Sequence, residues 1–270
     1  MAGGRVEAHE PFDRPFAEDI VFSGLDAATA RAALEADARD FDVIVQPADA
    51  PRLKQLLVAD MDSTIIGQEC IDELADFAGR KAEIAAITEA AMRGELDFAA
   101  ALEARVAALA GLDSDAIAHT LAERVRLNPG ARTLIATMRA VGARTVLVSG
   151  GFTAFTAPVA AMAGFDRQVA NQLDITGGRL AGTVGRPIVD AATKRATLFA
   201  ECRALGIGPE AALAIGDGAN DIPMLEAAGL GIAFRAKPRA AAAADGHVRH
   251  GDLTAVLLAQ GIPRSRWVLA

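Results

Sequence analysis

Residues 56–67 read LLVADMDSTIIG. An apolar run of strand length stops in two acids one residue apart, Asp60 and Asp62, followed by Ser63 and Thr64. The run carries no polar alternation, which predicts a central parallel strand covered on both faces. At the end of such a strand residues i and i+2 point to the same side, so the two carboxylates share one site. Side by side without a cation they repel, and one pKa climbs. A hard divalent cation such as Mg²⁺ removes that conflict. Asp and Ser also populate ordinary turns, and for an isolated Asp-Ser pair a turn is the better explanation. An acid-x-acid-Ser-Thr run closing an apolar strand favours chemistry instead.

Working outward, residues 1–50 form an expected accessory α+β segment. DIVFSG (19–24) and FDVIVQP (41–47) suit short strands on either side of the helical DAATARAALEAD (26–37), and Pro47 and Pro51 bracket a linker. A core is expected over 51–270. From about 67 to 128 the period is helical: CIDELADFAG, KAEIAAITEAAM, LDFAAALEARVAALAG and SDAIAHTLAERV follow one another, punctuated by Gly79, Gly94 and Gly111. This predicts a helical cap inserted after the first core strand. Beyond Asn128-Pro129-Gly130 strands and helices alternate, with strands at RTVLVSGG (144–151), ALAIGDG (212–218) and LGIAF (230–234). RQVANQLDITGGRLAGTV (167–184) suits β structure around a Gly-Gly turn. The expected fold is α/β, a doubly wound parallel sheet with right-handed crossovers. Ligands of such sheets bind at the carboxyl ends of the strands, where VADMDS, LVSGG and AIGDGAND all fall.

Those three ends supply the remaining candidates. GDGAND places Asp217 and Asp221 at a strand end, with Gly216 and Gly218 allowing close approach of backbone to ligand; Asn220 or Asp221 also suits a helix cap. Ser149 precedes Gly150 and Gly151 and an expected helix start at Phe152, so it serves either an anion site or an N-cap. Lys194 lies near the start of a helix, where a solvated lysine is the ordinary case. Taken together, carboxylates hold Mg²⁺, while a Ser, a Lys and backbone N–H groups hold phosphate. One Asp can then attack phosphorus: Asp60 attacks and Asp62 handles the proton.

Composition narrows the partners. The chain is 52% apolar and 23% charged, which suits a folded globular protein. A net charge of −8 argues against general nucleic-acid binding, while a metal or a few local cations still admit an anionic substrate. Cys70 and Cys202 form neither a disulfide framework nor a zinc motif. The N-terminal stretch lacks an apolar signal region, and no apolar run is long enough to span a bilayer. A cytoplasmic enzyme acting on a small molecule is expected, with no nucleic-acid or membrane partner and the oligomeric state open.

DMDST, VSGG, Lys194 and GDGAND resemble, in order, the four motifs of the haloacid dehalogenase superfamily of phosphatases. The likeness runs over about residues 54–260 and is nearest to the branch acting on O-phosphoserine. It implies that Asp60 forms an aspartyl-phosphate, and that Asp62 protonates the leaving serine oxygen and then activates water. Asp60, the Asp62 carbonyl and Asp217 would bind Mg²⁺, with Asp221 supporting them. Ser149, Gly150 and Lys194 would hold the phosphoryl oxygens, and Asn220 would help place phosphate or water. The cap segments QECIDEL and ITEAAMRGELDFAAALEARV resemble the same branch, implying that Glu69 holds the substrate ammonium and Arg105 its carboxylate. Met92 and Phe98 would close the pocket.

The residues themselves support these cap roles unevenly. Arg105 falls on the helical stripe of Phe98, Leu102 and Leu109 and must meet an anion or snorkel to water. Met92 and Phe98 suit plain core equally well. Glu69 shares a polar face with Asp72, Glu73 and Asp76 and rests on resemblance. Alternatives stay open at this point: another small phosphomonoester, phosphoryl transfer to an acceptor such as homoserine, or an Asp-phosphorylated receiver module. A dinucleotide-binding oxidoreductase would need GxGxxG after the first strand, which is absent. The N-terminal segment is shorter than the regulatory domains of some relatives, so amino-acid regulation is not expected.

Overall fold

A computed structural model describes residues 3–38, 40–92 and 95–269, with the side chains at 37, 91 and 92 outside the description. In chain order, β1 (Arg5–Asp13) and β2 (Ala17–Ser23) form a hairpin, followed by α1 (Ala27–Asp37) and the short β3 (Val43–Ile44). Next comes β4 (Leu56–Ala59), then α2 (Cys70–Phe77), α3 (Lys81–Met92), α4 (Phe98–Ala108) and α5 (Asp115–Glu123). The chain continues through α6 (Ala131–Ala140), β5 (Arg144–Phe152), α7 (Thr153–Ala163), β6 (Arg167–Asn171) and a second hairpin, β7 (Leu173–Thr176) and β8 (Arg179–Val184). It ends with α8 (Ala191–Leu205), β9 (Ala212–Gly216), α9 (Ile222–Leu225), β10 (Leu230–Phe234), α10 (Pro238–Ala243), β11 (Gly246–Val248) and α11 (Ala255–Ala259).

The main sheet has the order β3-β11-β10-β9-β4-β5-β6. Its pairings are parallel except that of β3, which runs antiparallel along β11. Thus part of the N-terminal segment lies at the edge of the core sheet. The unbroken apolar character of β4 now has its cause. Leu57 and Ala59 enter one core with α6 and α7 residues such as Leu134 and Phe155, while Leu56 and Val58 enter another with Leu198 of α8 and Met224 of α9. A strand covered by helices on both faces has no solvent side to make polar. Strand order also reverses at β4: β5 and β6 extend the sheet one way, β9 and β10 the other. The crevice at that switch point is where open α/β sheets bind ligands.

The four helices α2–α5 follow the expected pattern and stand between β4 and α6. Their entry and exit segments are stitched together, with Asn128 N donating to Ile65 O (2.8 Å) and Asn128 Nδ2 to Thr64 O (2.8 Å). The stretch 167–184 divides in two. β6 joins the core sheet, whereas β7 and β8 turn at Gly177 and Gly178, both at positive φ, and fasten onto the cap. Gly111 N donates to Leu180 O (2.8 Å) and Ser114 N to Gly178 O (2.9 Å). β1 is not anticipated from sequence: RVEAHEPFD is charged, carries Pro11, and is mostly exposed with no buried residue, so no buried face imposes an alternation. Among the described residues, no helix is long and apolar enough to cross a membrane.

Candidate active site

Asp60 directly follows β4 and is still held in the sheet, its N–H donating to Ile215 O of β9 (2.9 Å). The chain then coils through residues 61–65 in a wide turn, with Asp62 extended and Ser63 at φ +55°. That turn sends Asp60 and Asp62 into one cavity of about 220 Å³. The Asp60 carboxylate accepts from its neighbour Met61 N–H through Oδ1 (2.7 Å).

Behind the cavity lies a buried charge cluster. Lys194, in the first turn of α8, is 1% exposed. Its Nζ sits 2.8 Å from Asp60 Oδ1 and donates to Asp221 Oδ1 at 2.7 Å. The surface lysine that a first helical turn usually carries is therefore absent here. Asp221 stands at the start of α9 but makes no side-chain cap bond. Its Oδ2 turns back to accept from Asp217 N (3.1 Å) and Gly218 N (3.0 Å), shaping the strand-end loop. A Cβ on Gly216 would lie 2.5 Å from the Asp221 carboxylate, which explains the glycine there. Carboxylate oxygens of Asp60, Asp217 and Asp221 lie within 4.8 Å of one another.

Three carboxylates against one buried ammonium leave two negative charges in excess. Lys237 adds only a distant 4.0 Å contact to Asp217 from a largely exposed side chain. Burial pushes Asp60 well above the usual carboxylate range, with Asp221 adding to the rise and Lys194 opposing it. Burial, then Asp221, raises Asp217 as well. Burial alone would pull the Lys194 ammonium down, but Asp60 and Asp221 outweigh it and hold it above the ordinary lysine value. A set of hard oxygen donors short of two positive charges fits a small divalent cation.

Asp62 stands apart from this cluster. Its Oδ1 accepts from Cys70 N at the start of α2 (2.9 Å), and its Oδ2 accepts from Ser149 Oγ (3.2 Å). Burial raises its pKa against the lowering effect of those donors. Ser149 is not an N-cap. The cap position of α7 belongs to Phe152, and Ser149 Oγ instead accepts from Gly151 N (2.8 Å). A Cβ on Gly151 would come within 3.0 Å of Asp62 Oδ2, and one on Gly150 within 3.0 Å of Phe98 Cζ. The glycines therefore keep the backbone close to the acid and to the cap.

The cap forms the opposite wall. Glu69 stands at the cavity mouth with solvent contact, its Oε1 accepting from Ser63 Oγ (2.7 Å). Desolvation by the pocket walls, then the Asp62 charge, push it up to about 6. Arg105 lines the cavity beside Phe98 and Leu102 and is half-buried, with Nε donating to Ala101 O (3.2 Å). Burial pulls its pKa down, opposed by Asp72, Glu69 and Asp62. The guanidinium thus lies in the field of these acids. The Met92 side chain lies outside the described residues. Asp217, Gly150 and Asn220 also line the cavity, so every other candidate either faces it or, as with Lys194 and Asp221, lies directly behind Asp60 or Asp217.

Lys237 and Asn171 are not anticipated from sequence. Lys237 lines the cavity just past the carboxyl end of β10, and the strand-end rule applied to a fourth strand would have flagged it. Asn171 ends β6, is buried, and holds the Gly150 carbonyl through Nδ2 (2.8 Å) while its Oδ1 accepts from Val189 N (2.7 Å). Nothing in VANQLD marks it for that task.

A sequence model for haloacid dehalogenase-like hydrolases matches residues 57–226. Phosphoserine phosphatase SerB2 of Mycobacterium tuberculosis is 48% identical over 213 residues, covering 79% of this chain; the chain spans about half (52%) of that protein's length. Phosphoserine phosphatase of Albidiferax ferrireducens is 47% identical over 208 residues, covering 75% of this chain and 88% of its own. Among solved structures, a phospho-aspartyl intermediate analogue of phosphoserine phosphatase superposes with a TM-score of 0.71 at 35% identity, covering 76% of this chain and 98% of that one.

Proposed function

The chain belongs to the haloacid dehalogenase-like hydrolase family, and we propose that it hydrolyses O-phospho-L-serine to L-serine and phosphate through an aspartyl-phosphate on Asp60. The observation that carries this is the gathering of Asp60, Asp62, Ser149, Lys194 and Asp217 at one end of the sheet from segments far apart in the chain. The names of relatives 47–48% identical support the substrate.

Asp60, Asp217 and Asp221, with the Asp62 backbone carbonyl, would hold Mg²⁺, which when bound offsets the excess negative charge and draws electron density from the phosphoryl oxygens. Lys194 favours the ionised form of Asp60 against burial and aligns it. The Asp60 carboxylate attacks phosphorus while the bond from phosphorus to the serine oxygen breaks, and Asp62 gives its proton to that oxygen. A pKa raised by burial suits Asp62 to carry that proton near neutral pH. Asp62, now a carboxylate, takes a proton from water as the water attacks phosphorus. The bond from phosphorus to Asp60 breaks, and phosphate leaves. Ser149 Oγ and the Gly150 N–H hold phosphoryl oxygens, and Asn220 places phosphate or water.

On the cap side Glu69 faces the substrate ammonium, Arg105 its carboxylate, and Phe98 closes the apolar wall over Gly150. A receiver module would have no use for such a cap. The organisation that goes with this proposal is a core over 51–270 with a cap over about 67–128, and residues 1–50 as an accessory segment whose β3 lends an edge strand to the core sheet. Two buried, unpaired cysteines suit a cytoplasmic setting.

The test is phosphate release from a panel of phosphomonoesters, with Mg²⁺ and with chelator. Phosphoserine should lead by a wide margin, because analogues leave Glu69 or Arg105 unpaired, and chelator should stop turnover. Release from no monoester, or release indifferent to chelator, would refute the proposal.

A further inference from the structure

We propose that Lys237 is a phosphoryl-binding residue: a loosely held ammonium at the cavity mouth that leaves Asp217 and closes on the phosphoryl oxygens of the incoming substrate. This rests on the site being a phosphomonoester hydrolase, though not on the substrate being phosphoserine.

The cavity wall is acidic. Asp60, Asp62, Glu69 and Asp217 line it, against Arg105 and Lys237. A substrate bearing a phosphate dianion must enter past these acids. Lys194 cannot meet it at the mouth, being 1% exposed and already shared between Asp60 and Asp221. Arg105 belongs to the cap wall, tied by Nε to its own helix. Lys237 differs from both. Its side chain is 72% exposed, and its Nζ lies 4.0 Å from Asp217 Oδ2, too far for a hydrogen bond. Its three N–H donors are thus uncommitted to that acid.

The root of the side chain is firm where the tip is free. Lys237 N donates to Asp217 O at 3.0 Å, tying the end of β10 to the end of β9. Arg235 at φ +44° turns the chain out of β10, and Pro238 opens α10 immediately after. A four-carbon stem on a pinned backbone lets a point charge swing over a short arc. Its charge opposes, without reversing, the rise that burial gives the Asp217 carboxyl on one side and the Glu69 carboxyl on the other. Lining the cavity together with Asp217 from the strand ends and Glu69 from the cap side, it stands where the phosphoryl group must pass.

The experiment is steady-state kinetics of Lys237→Met and Lys237→Arg on phosphoserine and on p-nitrophenyl phosphate, with inhibition by inorganic phosphate and a Mg²⁺ titration. Lys237→Met should raise KM for both substrates and the phosphate inhibition constant by about tenfold, the loss expected for one charge-assisted contact. The salt dependence of kcat/KM should flatten, and Lys237→Arg should recover most of the loss. A melting temperature equal to that of the parent protein checks the fold. An effect confined to phosphoserine would mean that Lys237 meets the carboxylate, and would overturn the proposal. Unchanged KM and phosphate inhibition with a fall in half-saturating Mg²⁺ would mean that Lys237 only screens Asp217, and would overturn it too. Should phosphoserine prove a poor substrate, that failure is separate, because the p-nitrophenyl phosphate and phosphate arms still report on Lys237.

Discussion

Replacing Lys194 with Met would leave two buried carboxylates facing each other without their shared cation. Met nearly matches the volume of Lys, so the packing loss is small and the change is mainly electrostatic. Nζ lies 2.8 Å from Asp60 and 2.7 Å from Asp221, and the three side chains are 1%, 7% and 0% exposed. At an effective dielectric of about 20, one such contact is worth roughly 6 kcal/mol of gross attraction. Desolvation cancels much of this. Removal of one partner from a buried pair costs about 3–5 kcal/mol because the other is left uncompensated. At about 2–4 °C per kcal/mol for a domain of this size class, the melting temperature should fall by roughly 6–20 °C.

The sign of the pH dependence follows from the same cluster. Asp60 is already raised by burial, and loss of the opposing Lys194 raises it further. A carboxyl with a raised folded-state pKa costs stability once it ionises. The deficit of Lys194→Met relative to the parent should therefore be largest at neutral pH and shrink as the pH falls through that raised value. Added Mg²⁺ should also narrow it by supplying the missing positive charge. The assay is thermal melting followed by circular dichroism, in chelator and in Mg²⁺, across pH. Melting that coincides with the parent protein in chelator at neutral pH would refute the buried-cluster reasoning.

Further outcomes are expected at the neighbouring positions. Asp60→Asn should lower kcat by about 10⁴–10⁶-fold, the scale for loss of a covalent nucleophile, while circular dichroism shows the fold intact; near-parental turnover would end the covalent scheme. Arg105→Ala should raise KM for phosphoserine by about 10–100-fold, as for a lost charged hydrogen bond, and leave KM for p-nitrophenyl phosphate little changed; equal loss on both would remove the carboxylate assignment. Glu69, pushed up to about 6, is ionised above that value and neutral below it. KM for phosphoserine should then rise relative to p-nitrophenyl phosphate as pH falls through about 6, and Glu69→Gln should abolish that difference; a difference that survives in Glu69→Gln would exclude Glu69 as the ammonium partner.

Much of the architecture is legible in one dimension because burial leaves a local trace. LLVA of β4 is apolar throughout because helices cover both faces, and the helices α2–α5 show their period directly, with breaks at Gly79 and Gly111, while Gly94 lies outside the described residues. The carboxyl-end rule then locates Asp60, Asp62, Ser149 and Asp217 from strand ends alone. The exposed β1 has no buried face to print a pattern, and the split of residues 167–184 between the core sheet and the cap depends on distant hydrogen bonds to Gly111 and Ser114.

Residue types and order along the chain by themselves determined the α/β alternation, the inserted cap and the acids at the strand ends. The fates of Lys194, Ser149 and Asp221 were decided only in three dimensions. A lysine in a first helical turn is ordinarily solvated, and here it is buried because β4 and the loop after β9 bring two carboxylates to it. Ser149 and Asp221 both sit where caps are common, and both turn instead toward Asp62 or the 217–218 backbone. Lys237 joins the cavity through a fourth strand end with no acid beside it in sequence. Burial pattern is a property of neighbours along the chain, whereas pairing of charges depends on which strands the sheet places side by side.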